Sequence, residues 1–327
     1  MPGPERIIIS RTDSIGDVLL TLPLCGILKQ KFPGVRIIFL GRSYTADVIR
    51  CCRHVDAFLD WDEIRKQTPQ QQINHLRACQ ADTIVHVFPR KEVVWAAKRA
   101  GIPSRIATAG RLHTLMKCNH LVFFSRKKSD LHEAQLNTKL LKPLGIGSEY
   151  SPDELQAFSG FEAPHIRDVL PPRNGKFRVL LHPLSQGSAV EWGLERFRSL
   201  TVNLDSERFE IRIGGSSGEA AALSTIKWPP HAQLIAGQFS LEQYIKLIAE
   251  CDAIVAASTG PLHIGAMLGL HAVGLFSPKK PIHAGRWSPI GKHVHLFESK
   301  EHPKQKTDGL DISPEAVATL LKGLAEG

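Results

Sequence analysis

An N-terminal loop combines residue types that could perform acid–base chemistry. The apolar run Ile7–Ile9 predicts a short strand, and Asp13, Gly16 and Asp17 follow it before an apolar helix pattern begins. Gly16 allows a tight turn, and Asp17 stands where the helix should begin. A carboxylate at the end of a strand can remove a proton from a hydroxyl group, and such a base typically accelerates a reaction by ~10²–10⁴-fold. Helix capping is the alternative role for Asp17, and Asp13 is a competing candidate base.

A second loop, from Ser258 to His263, carries the strongest local signal. A buried strand is predicted just before it, and a helix of small residues just after Gly260. The first amides of that helix, the hydroxyls of Ser258 and Thr259 and the His263 side chain would then converge on one point, which suits a pyrophosphate oxygen. The alternative is that Ser258 or Thr259 caps the helix and His263 is a buried histidine with ordinary partners.

Two weaker loops are predicted at the same edge of the second half. Ser185, Gln186 and Ser188 follow its first strand, and Glu219 follows a Gly-Gly turn after the next strand. Glu219 could bind the two hydroxyls of a ribose, or it could be an ordinary carboxylate at a helix start. The N-terminal loop lacks the Gly-x-Gly-x-x-Gly spacing, which argues against a dinucleotide-dependent dehydrogenase.

The elements that position these loops are strands alternating with helices. Short apolar runs are separated by amphipathic stretches, a pattern typical of parallel α/β sheets. The strands are predicted at residues 6–10, 35–40, 57–61, 83–88, 105–107, 120–123, 177–182, 209–214, 233–235, 253–256 and 271–275. The helices are predicted at residues 17–31, 44–51, 68–79, 91–100, 133–144, 194–204, 218–227, 241–250, 263–268 and 313–324.

The length of 327 residues predicts two domains, because single cores stop growing near ~250–300 residues. Residues 146–176 are rich in proline and charge and show weak periodicity, so the linker is placed there. We expect Rossmann-like doubly wound domains at 1–160 and 161–327, with the ligand cleft between the carboxyl ends of their sheets. The last helix could pack back on the first domain.

Composition and charge narrow the function class. Hydrophobic residues make up 43% of the chain, and no run of eighteen apolar residues could span a membrane. The six cysteines are scattered without a metal-binding spacing, and no signal-peptide core is evident, so a reduced, cytoplasmic protein without a metal site is expected. The net charge of +9 favours anionic partners, and the absence of nucleic-acid-binding motifs favours phosphorylated sugars or a membrane surface.

The order of several motifs resembles glycosyltransferase family nine, the ADP-heptose:lipopolysaccharide heptosyltransferases. The matching motifs are Gly16-Asp17, His132-Glu133-Ala134 with Asn137, Leu140-Leu141, the Trp192 loop, Gly214-Gly215, Thr259-Gly260-Pro261-x-His263, Ser277-Pro278 and Arg286-Trp287-Ser288-Pro289. The resemblance covers nearly the whole chain. It implies a GT-B fold and an inverting transfer of heptose from ADP-heptose to the inner core of lipopolysaccharide, with no metal and no cofactor besides the donor.

The resemblance also implies roles for individual residues. Asp17 would be the catalytic base, the segment 185–188 and the turn 258–263 would hold the diphosphate, and Glu219 would hold the ribose. The anionic acceptor would lie against basic residues of the first domain, for which plain solvated charge is the alternative. These residues are Arg42, Arg90, Arg105 and Arg111, with Lys91, Arg126, Lys127 and Lys128 also available. Because the acceptor is a lipid, peripheral contact with the inner membrane is compatible with this pattern.

Two positions depart from the family pattern. Val190 stands where a lysine is usual, and Ser258 stands where an acidic residue is usual. A missing lysine removes a cation that could stabilise the departing diphosphate. Arg11, Lys279 or Lys280 could replace that cation; otherwise turnover is low. A different nucleotide-sugar donor and a non-catalytic binding protein are therefore alternative hypotheses.

Overall fold

The computed structural model describes residues 3–126, 128–147, 149–303 and 308–327, so that Lys127, one of the basic residues named above, lies outside the described residues. The chain divides into two compact units, Met1–Glu162 and Ala163–Gly327. The boundary falls inside the proline-rich segment 146–176.

The first unit is built on a six-stranded parallel sheet with the strand order β3-β2-β1-β4-β5-β6. Its strands are β1 Arg6–Ser10, β2 Arg36–Gly41, β3 Ala57–Asp60, β4 Thr83–His86, β5 Ser104–Thr108 and β6 His120–Val122. The order reverses between β1 and β4, and ligands of such sheets bind outside the carboxyl ends of the strands at this switch point.

The described residues of the first unit form nine α-helices: α1 Ile15–Leu19, α2 Pro23–Lys31, α3 Ala46–Arg50, α4 Trp61–Ile64, α5 Pro69–Ala78, α6 Lys91–Ala100, α7 Leu112–Lys117, α8 Glu133–Thr138 and α9 Pro152–Ala157. The predicted helix 17–31 is wrong as one element: it begins at Ile15 and is interrupted after Leu19, because Pro23 has no amide hydrogen and its ring clashes with a preceding carbonyl. The predicted helix 133–144 ends as a 3₁₀ helix that contains Pro143.

The second unit repeats the same strand order with a second six-stranded parallel sheet, β12-β11-β10-β7-β8-β9. Its strands are β7 Phe177–His182, β8 Phe209–Ile213, β9 Ala232–Leu234, β10 Ala253–Ala257, β11 His271–Phe276 and β12 Val294–Glu298. Its helices are α10 Leu194–Val202, α11 Ser217–Ser224, α12 Leu241–Ala249, α13 Gly260–Met267, α14 Ala284–Trp287 and α15 Pro314–Leu324. The switch point of this unit lies between β7 and β10.

The core of the second unit includes the final helix. Val317 and Leu321 of α15 are fully buried in the cluster that contains Trp192 and Phe197. The Trp192 indole stacks edge-on against Phe197 at 4.8 Å between ring centroids, and its Nε1 donates to the carbonyl of Ile312 at 2.9 Å. The final helix thus completes the hydrophobic core of its own unit.

Both units are α/β and parallel, and the predicted fold class is confirmed. In the described part of the chain, no helix has both the length and the apolar composition that a bilayer crossing requires.

Candidate functional site

The first unit joins two loops at its switch point. The guanidinium of Arg90, which follows β4, donates to both oxygens of Thr12, which follows β1: Nε to Oγ1 at 2.7 Å and Nη2 to the carbonyl at 3.0 Å. Arg90 also lies over the ring of Phe88, as does Arg111, at 5.6 and 5.0 Å from the centroid. Two predicted acceptor-binding residues therefore lie beside the loop that carries the candidate base.

Arg11 is the centre of an ion-pair network beneath this loop. Its side chain is only 3% exposed and pairs with Asp13 at 2.7 Å, with Glu133 at 3.4 Å and with Asp17. Burial lowers the pKa of Arg11, but the three carboxylates outweigh this effect and raise that pKa above its ordinary value. Glu133 and Asn137, which belong to one of the motifs named above, contact Arg11 from α8.

Asp17 occupies the third position of α1, where it accepts hydrogen bonds from Arg11 and from the hydroxyl of Ser14. Ser14 is the N-cap residue, so Asp17 is not the cap that its position in the sequence allowed. Its side chain keeps 16% of its surface exposed. A carboxylate oriented by two donors and still reachable from solvent is suited to accept a proton from a substrate hydroxyl.

Asp13 remains a competing base on geometric grounds. Burial raises the pKa of Asp13 to about 6, although the adjacent Arg11 works in the opposite direction. The hydroxyl of Tyr44 donates to the backbone carbonyl of Asp13 at 2.7 Å, and Arg42 lies over the Tyr44 ring at 4.9 Å from its centroid. Asp13 and Asp17 pair with the same cation, Arg11.

One of the predicted acceptor-binding residues, Arg105, does not lie at the carboxyl edge of the sheet. Arg105, at the amino end of β5, donates to the carbonyls of Ile102, Pro103 and Lys117 and so fixes the chain around that strand.

His86, at the carboxyl end of β4, is fully buried, and burial lowers its pKa to about 3. Nothing in the sequence distinguished His86 from an ordinary strand residue.

The second unit brings its candidate loops together at the corresponding switch point. His182 at the end of β7 pairs in register with Ala256 of β10, so the loops that follow these strands start side by side. Thr259 is the N-cap of α13, yet its side chain makes no capping bond. Its Oγ1 is buried and has no hydrogen-bond partner among the described residues. A buried unpaired hydroxyl costs free energy, which a ligand acceptor or donor at this point would recover.

Close packing aligns α13 with this loop. A Cβ atom on Gly265 would lie 2.5 Å from Cγ2 of Ile254, so only glycine allows α13 to approach β10 this closely. His263 is 2% exposed in the same helix. The first amides of α13 are directed toward the switch point, together with the positive end of the helix dipole.

The loop after β7 is held by its own hydrogen bonds. Glu191 accepts from the amide and the hydroxyl of Ser185 at 2.7 and 2.8 Å, and the hydroxyl of Ser188 donates to the Ser185 carbonyl at 2.7 Å. Gln186 has a positive φ of 50° and donates from Nε2 to the Ser216 hydroxyl at 2.7 Å. These bonds connect the β7 and β8 loops into one polar edge.

Glu219 is engaged as a helix-start carboxylate. Its Oε2 accepts from the amide and the hydroxyl of Ser216 at 2.7 and 2.8 Å, which forms a capping box at α11. Of the two roles that the sequence left open for Glu219, the helix-start role is therefore present. A contact between Glu219 and a ribose would have to be made in addition to this capping box.

His182 and Tyr244 form a buried pair below the loop, with 2.8 Å between Nδ1 and the phenolic oxygen. Gly214 leaves the room for this pair, since a Cβ there would lie 2.1 Å from the Tyr244 oxygen. Burial lowers the pKa of His182 to about 4. The sequence predicted only that Tyr244 lies in the helix 241–250.

The His182 environment predicts a pH dependence of stability. Between pH 6.5 and about 4 the unfolded chain binds a proton at His182 and the folded chain does not, so the free energy of unfolding falls as the pH falls. The slope contributed is about 1.4 kcal/mol per pH unit. Urea unfolding of wild type and His182→Gln from pH 7.5 to 4.5 should show a shallower dependence in the variant; parallel curves would contradict the assignment.

The departures from the family pattern have distinct surroundings. Val190 packs against the hydrophobic core of the second unit. Lys279 lies after β11, the strand next to β10, and its Nζ is 3.5 Å from Nε2 of His302. Arg11, by contrast, is buried among carboxylates in the first unit, whereas Lys279 and Lys280 follow β11, the neighbour of the strand that leads into the Thr259 turn.

Comparisons with known proteins agree with this architecture. The model of glycosyltransferase family 9 (heptosyltransferase) matches residues 72–312. A lipooligosaccharide heptosyltransferase 2 of Campylobacter jejuni is 27% identical over 98% of each chain. A glycosyl transferase family 9 structure from Veillonella parvula has a TM-score of 0.78 at 15% identity, with 98% of this chain and 97% of that chain covered. An Escherichia coli heptosyltransferase structure with ADP has a TM-score of 0.72 at 17% identity over 98% and 99%. The GT-B fold class is thereby confirmed.

Proposed function

The chain belongs to glycosyltransferase family 9, and we propose that it transfers a heptose from ADP-heptose to the inner core of lipopolysaccharide with inversion at the anomeric carbon. The observation that carries the donor half of this proposal is the buried hydroxyl of Thr259 at the start of α13, which has no partner in the described part of the chain. ADP is present in the structure of the E. coli relative, which supports an adenine nucleotide as the leaving group.

The donor is assigned to the switch point of the second unit. The amides at the start of α13 and the Thr259 hydroxyl offer hydrogen-bond donors to the diphosphate, and the segment 185–188 offers further polar groups from the neighbouring strand. Glu219, at the next loop along the sheet, is assigned to the ribose. The amides and hydroxyls at the diphosphate are neutral donors, and Lys279 and Lys280 are the cations assigned to the departing charge.

The reaction is a single displacement. Asp17 removes the proton of the acceptor hydroxyl as that oxygen forms a bond to the anomeric carbon of the heptose. The bond between the anomeric carbon and the β-phosphate oxygen breaks, and ADP leaves with the electron pair. Donors at the start of α13 stabilise the charge that develops on the diphosphate. One displacement inverts the configuration, and no cofactor besides the donor takes part.

The acceptor is assigned to the first unit. Arg90 and Arg111, both over Phe88, and Arg42 beside Tyr44 are the groups proposed to bind its anionic sugars. Arg105 is left out because it lies at the amino end of β5, away from the carboxyl ends of the strands, where ligands of such sheets bind. The cytoplasm is the proposed compartment, with peripheral contact at the inner membrane, and the free state of all six cysteines suits reducing conditions.

Thr259→Val tests the donor site by separating stability from binding. Valine keeps the shape of threonine and removes the unpaired hydroxyl, so we expect the free energy of unfolding to stay the same or rise by about 1 kcal/mol. The dissociation constant for ADP should increase by at least about tenfold, because one hydrogen bond to a charged group is lost. Urea unfolding and titration calorimetry measure the two quantities.

Thr201→Val is the matched control. Thr201 is buried in α10 of the same unit, and its hydroxyl already donates to the carbonyl of Arg198 at 2.7 Å. That variant should lose stability and bind ADP like the wild type. Equal ADP affinity in Thr259→Val and wild type would remove Thr259 from the donor site.

A donor screen distinguishes the proposed activity from its alternatives. Calorimetry with ADP-heptose and other nucleotide sugars identifies the donor, and ADP release in the presence of a core oligosaccharide measures transfer. Tight binding of ADP-heptose without ADP release would favour a non-catalytic binding protein, which the apolar packing of Val190 makes the relevant alternative. Preference for another nucleotide sugar would keep the reaction and change the donor.

A further inference from the structure

One segment of the first unit combines positive charge with exposed apolar side chains. Residues 93–129 contain eight lysines or arginines and no aspartate or glutamate, in a chain whose net charge is +9. Nine large apolar side chains are exposed in the described residues, and five of them lie between positions 112 and 131. Those five are Leu112, Leu115, Met116, Phe123 and Leu131. Charge and apolar exposure therefore coincide in one stretch of the chain.

The helix α7 presents its apolar residues outward. Leu112, Leu115 and Met116 have the spacing i, i+3, i+4, which places them on one face, and Thr114 is the buried residue on the opposite face. Leu112 is 73% exposed and Met116 is 58% exposed. A helix that packs by its polar residues and exposes its apolar ones is the reverse of the arrangement that folding alone would select.

Phe123 lies close to the beginning of this helix. The amide of Ala109, three residues before Leu112, donates to the carbonyl of Val122 at 3.1 Å. Phe123 follows Val122 directly, at the end of the edge strand β6, and is 79% exposed. We call Leu112, Leu115, Met116 and Phe123 the apolar edge patch.

Basic groups border the patch on two sides. Lys117 ends α7 with its Nζ 3.9 Å from the centre of the Trp95 ring, and Arg99 lies over the same ring at 5.7 Å. Next to Phe123, an open groove of about 560 Å³ is lined by Leu121, Val122, Pro143 and two lysines, Lys139 and Lys142. Apolar residues beside two ammonium groups fit a lipid acyl chain beside its phosphate.

We propose that the apolar edge patch and its basic border dock the first unit on an anionic phospholipid bilayer. Exposed leucine, methionine and phenylalanine side chains enter the boundary between headgroups and acyl chains, and the surrounding lysines and arginines attract the anionic headgroups. Leucine and methionine offer no stacking face or hydrogen bond to a nucleic acid base, which leaves the lipid surface as the better match for the same charge. The inference rests on the proposed function, whose peripheral membrane contact it assigns to this surface, but the lipid binding itself needs neither donor nor acceptor.

The test is co-sedimentation of the full-length chain with vesicles that contain neither substrate. Wild type should partition onto phosphatidylglycerol vesicles at least about tenfold more strongly than onto phosphatidylcholine vesicles, and an increase in salt from 0.05 to about 0.5 M should weaken the binding. The triple variant Leu112→Ser, Met116→Ser, Phe123→Ser should bind phosphatidylglycerol vesicles at least about tenfold more weakly. Arg99→Gln with Lys117→Gln should cause a similar loss.

Matched controls lie in the second unit. Val202 and Leu296 are 60% and 46% exposed, and Lys292 and Lys322 are exposed cations. The double variants Val202→Ser with Leu296→Ser and Lys292→Gln with Lys322→Gln should bind vesicles like the wild type. Circular dichroism and thermal unfolding show whether each variant is folded.

Three results would overturn the proposal. The first is no binding of wild type to phosphatidylglycerol, the second is equal loss in the patch variants and their controls, and the third is a dimer that the triple variant abolishes while vesicle binding persists.

Transfer to a delipidated core oligosaccharide separates this proposal from the proposed function. A triple variant that no longer binds vesicles but still transfers heptose to that acceptor supports the docking surface. Failure of wild-type transfer bears only on the proposed function.

Discussion

Asparagine in place of Asp17 is expected to lower kcat for heptose transfer by at least about 100-fold, because an amide cannot take the proton of the acceptor hydroxyl. Asparagine keeps an oxygen that can accept from Arg11, and its amide nitrogen can donate to the Ser14 hydroxyl, so the loop should retain its shape. Steady-state ADP release measures kcat, and titration with ADP should give the wild-type affinity. A kcat within about threefold of wild type would reject Asp17 as the base.

Asp13→Asn is the control for this experiment, since Asp13 pairs with the same arginine in the same loop. We expect this variant to retain kcat within about tenfold of wild type. If Asp13 were the base instead, kcat/KM of wild type would rise as the pH increases through about 6, where Asp13 loses its proton, and Asp13→Asn would lose that rise. The two single variants and their pH profiles therefore assign the base to one residue.

Arg11→Leu is expected to lower the free energy of unfolding by about 3–5 kcal/mol, because it leaves Asp13 and Asp17 without their cation, whereas Glu133 keeps its pair with Arg126. The arginine is buried and pairs with Asp13, Asp17 and Glu133, of which Glu133 is also buried. Urea unfolding of the full-length chain measures the loss. The expected loss is large because two partly buried carboxylates of one loop, Asp13 and Asp17, pair with this one buried side chain.

The matched control is Arg50→Leu in the same unit. Arg50 is largely exposed and pairs only with Asp47 at 3.0 Å among the described residues, so its replacement should cost no more than about 1 kcal/mol. A loss below about 1 kcal/mol for Arg11→Leu would show that the three carboxylates are stabilised without it.

The strands could be predicted from the sequence because both sheets are parallel and buried on both faces. Such strands are continuous apolar runs, and β1 and β7 have the predicted bounds 6–10 and 177–182. β12 was missed because it is an edge strand in which His295 and Glu298 interrupt the apolar pattern. α7 was missed because its apolar residues face solvent, which inverts the pattern that indicates a helix.

The candidate site could be predicted from the sequence only where its residues are close together in the chain. The Thr259 turn joins strand, hydroxyls and helix start within a few residues, so its geometry follows from sequence neighbours. The ion-pair network of Arg11 does not, because Glu133 is 122 positions away in the chain and only the folded unit brings the two together. The Ser216–Glu219 capping box could have been recognised from its Ser-x-x-Glu spacing.

The network around Arg11 also has a consequence for the order of events during protein synthesis. Arg11 leaves the ribosome early, whereas Glu133 and Asn137, which complete its surroundings, are made near the end of the first unit. Until α8 has been translated, the loop with Asp13 and Asp17 lacks two of the side chains that hold it. The loop that carries Asp13 and Asp17 can therefore complete its contacts only after most of the first unit has been translated.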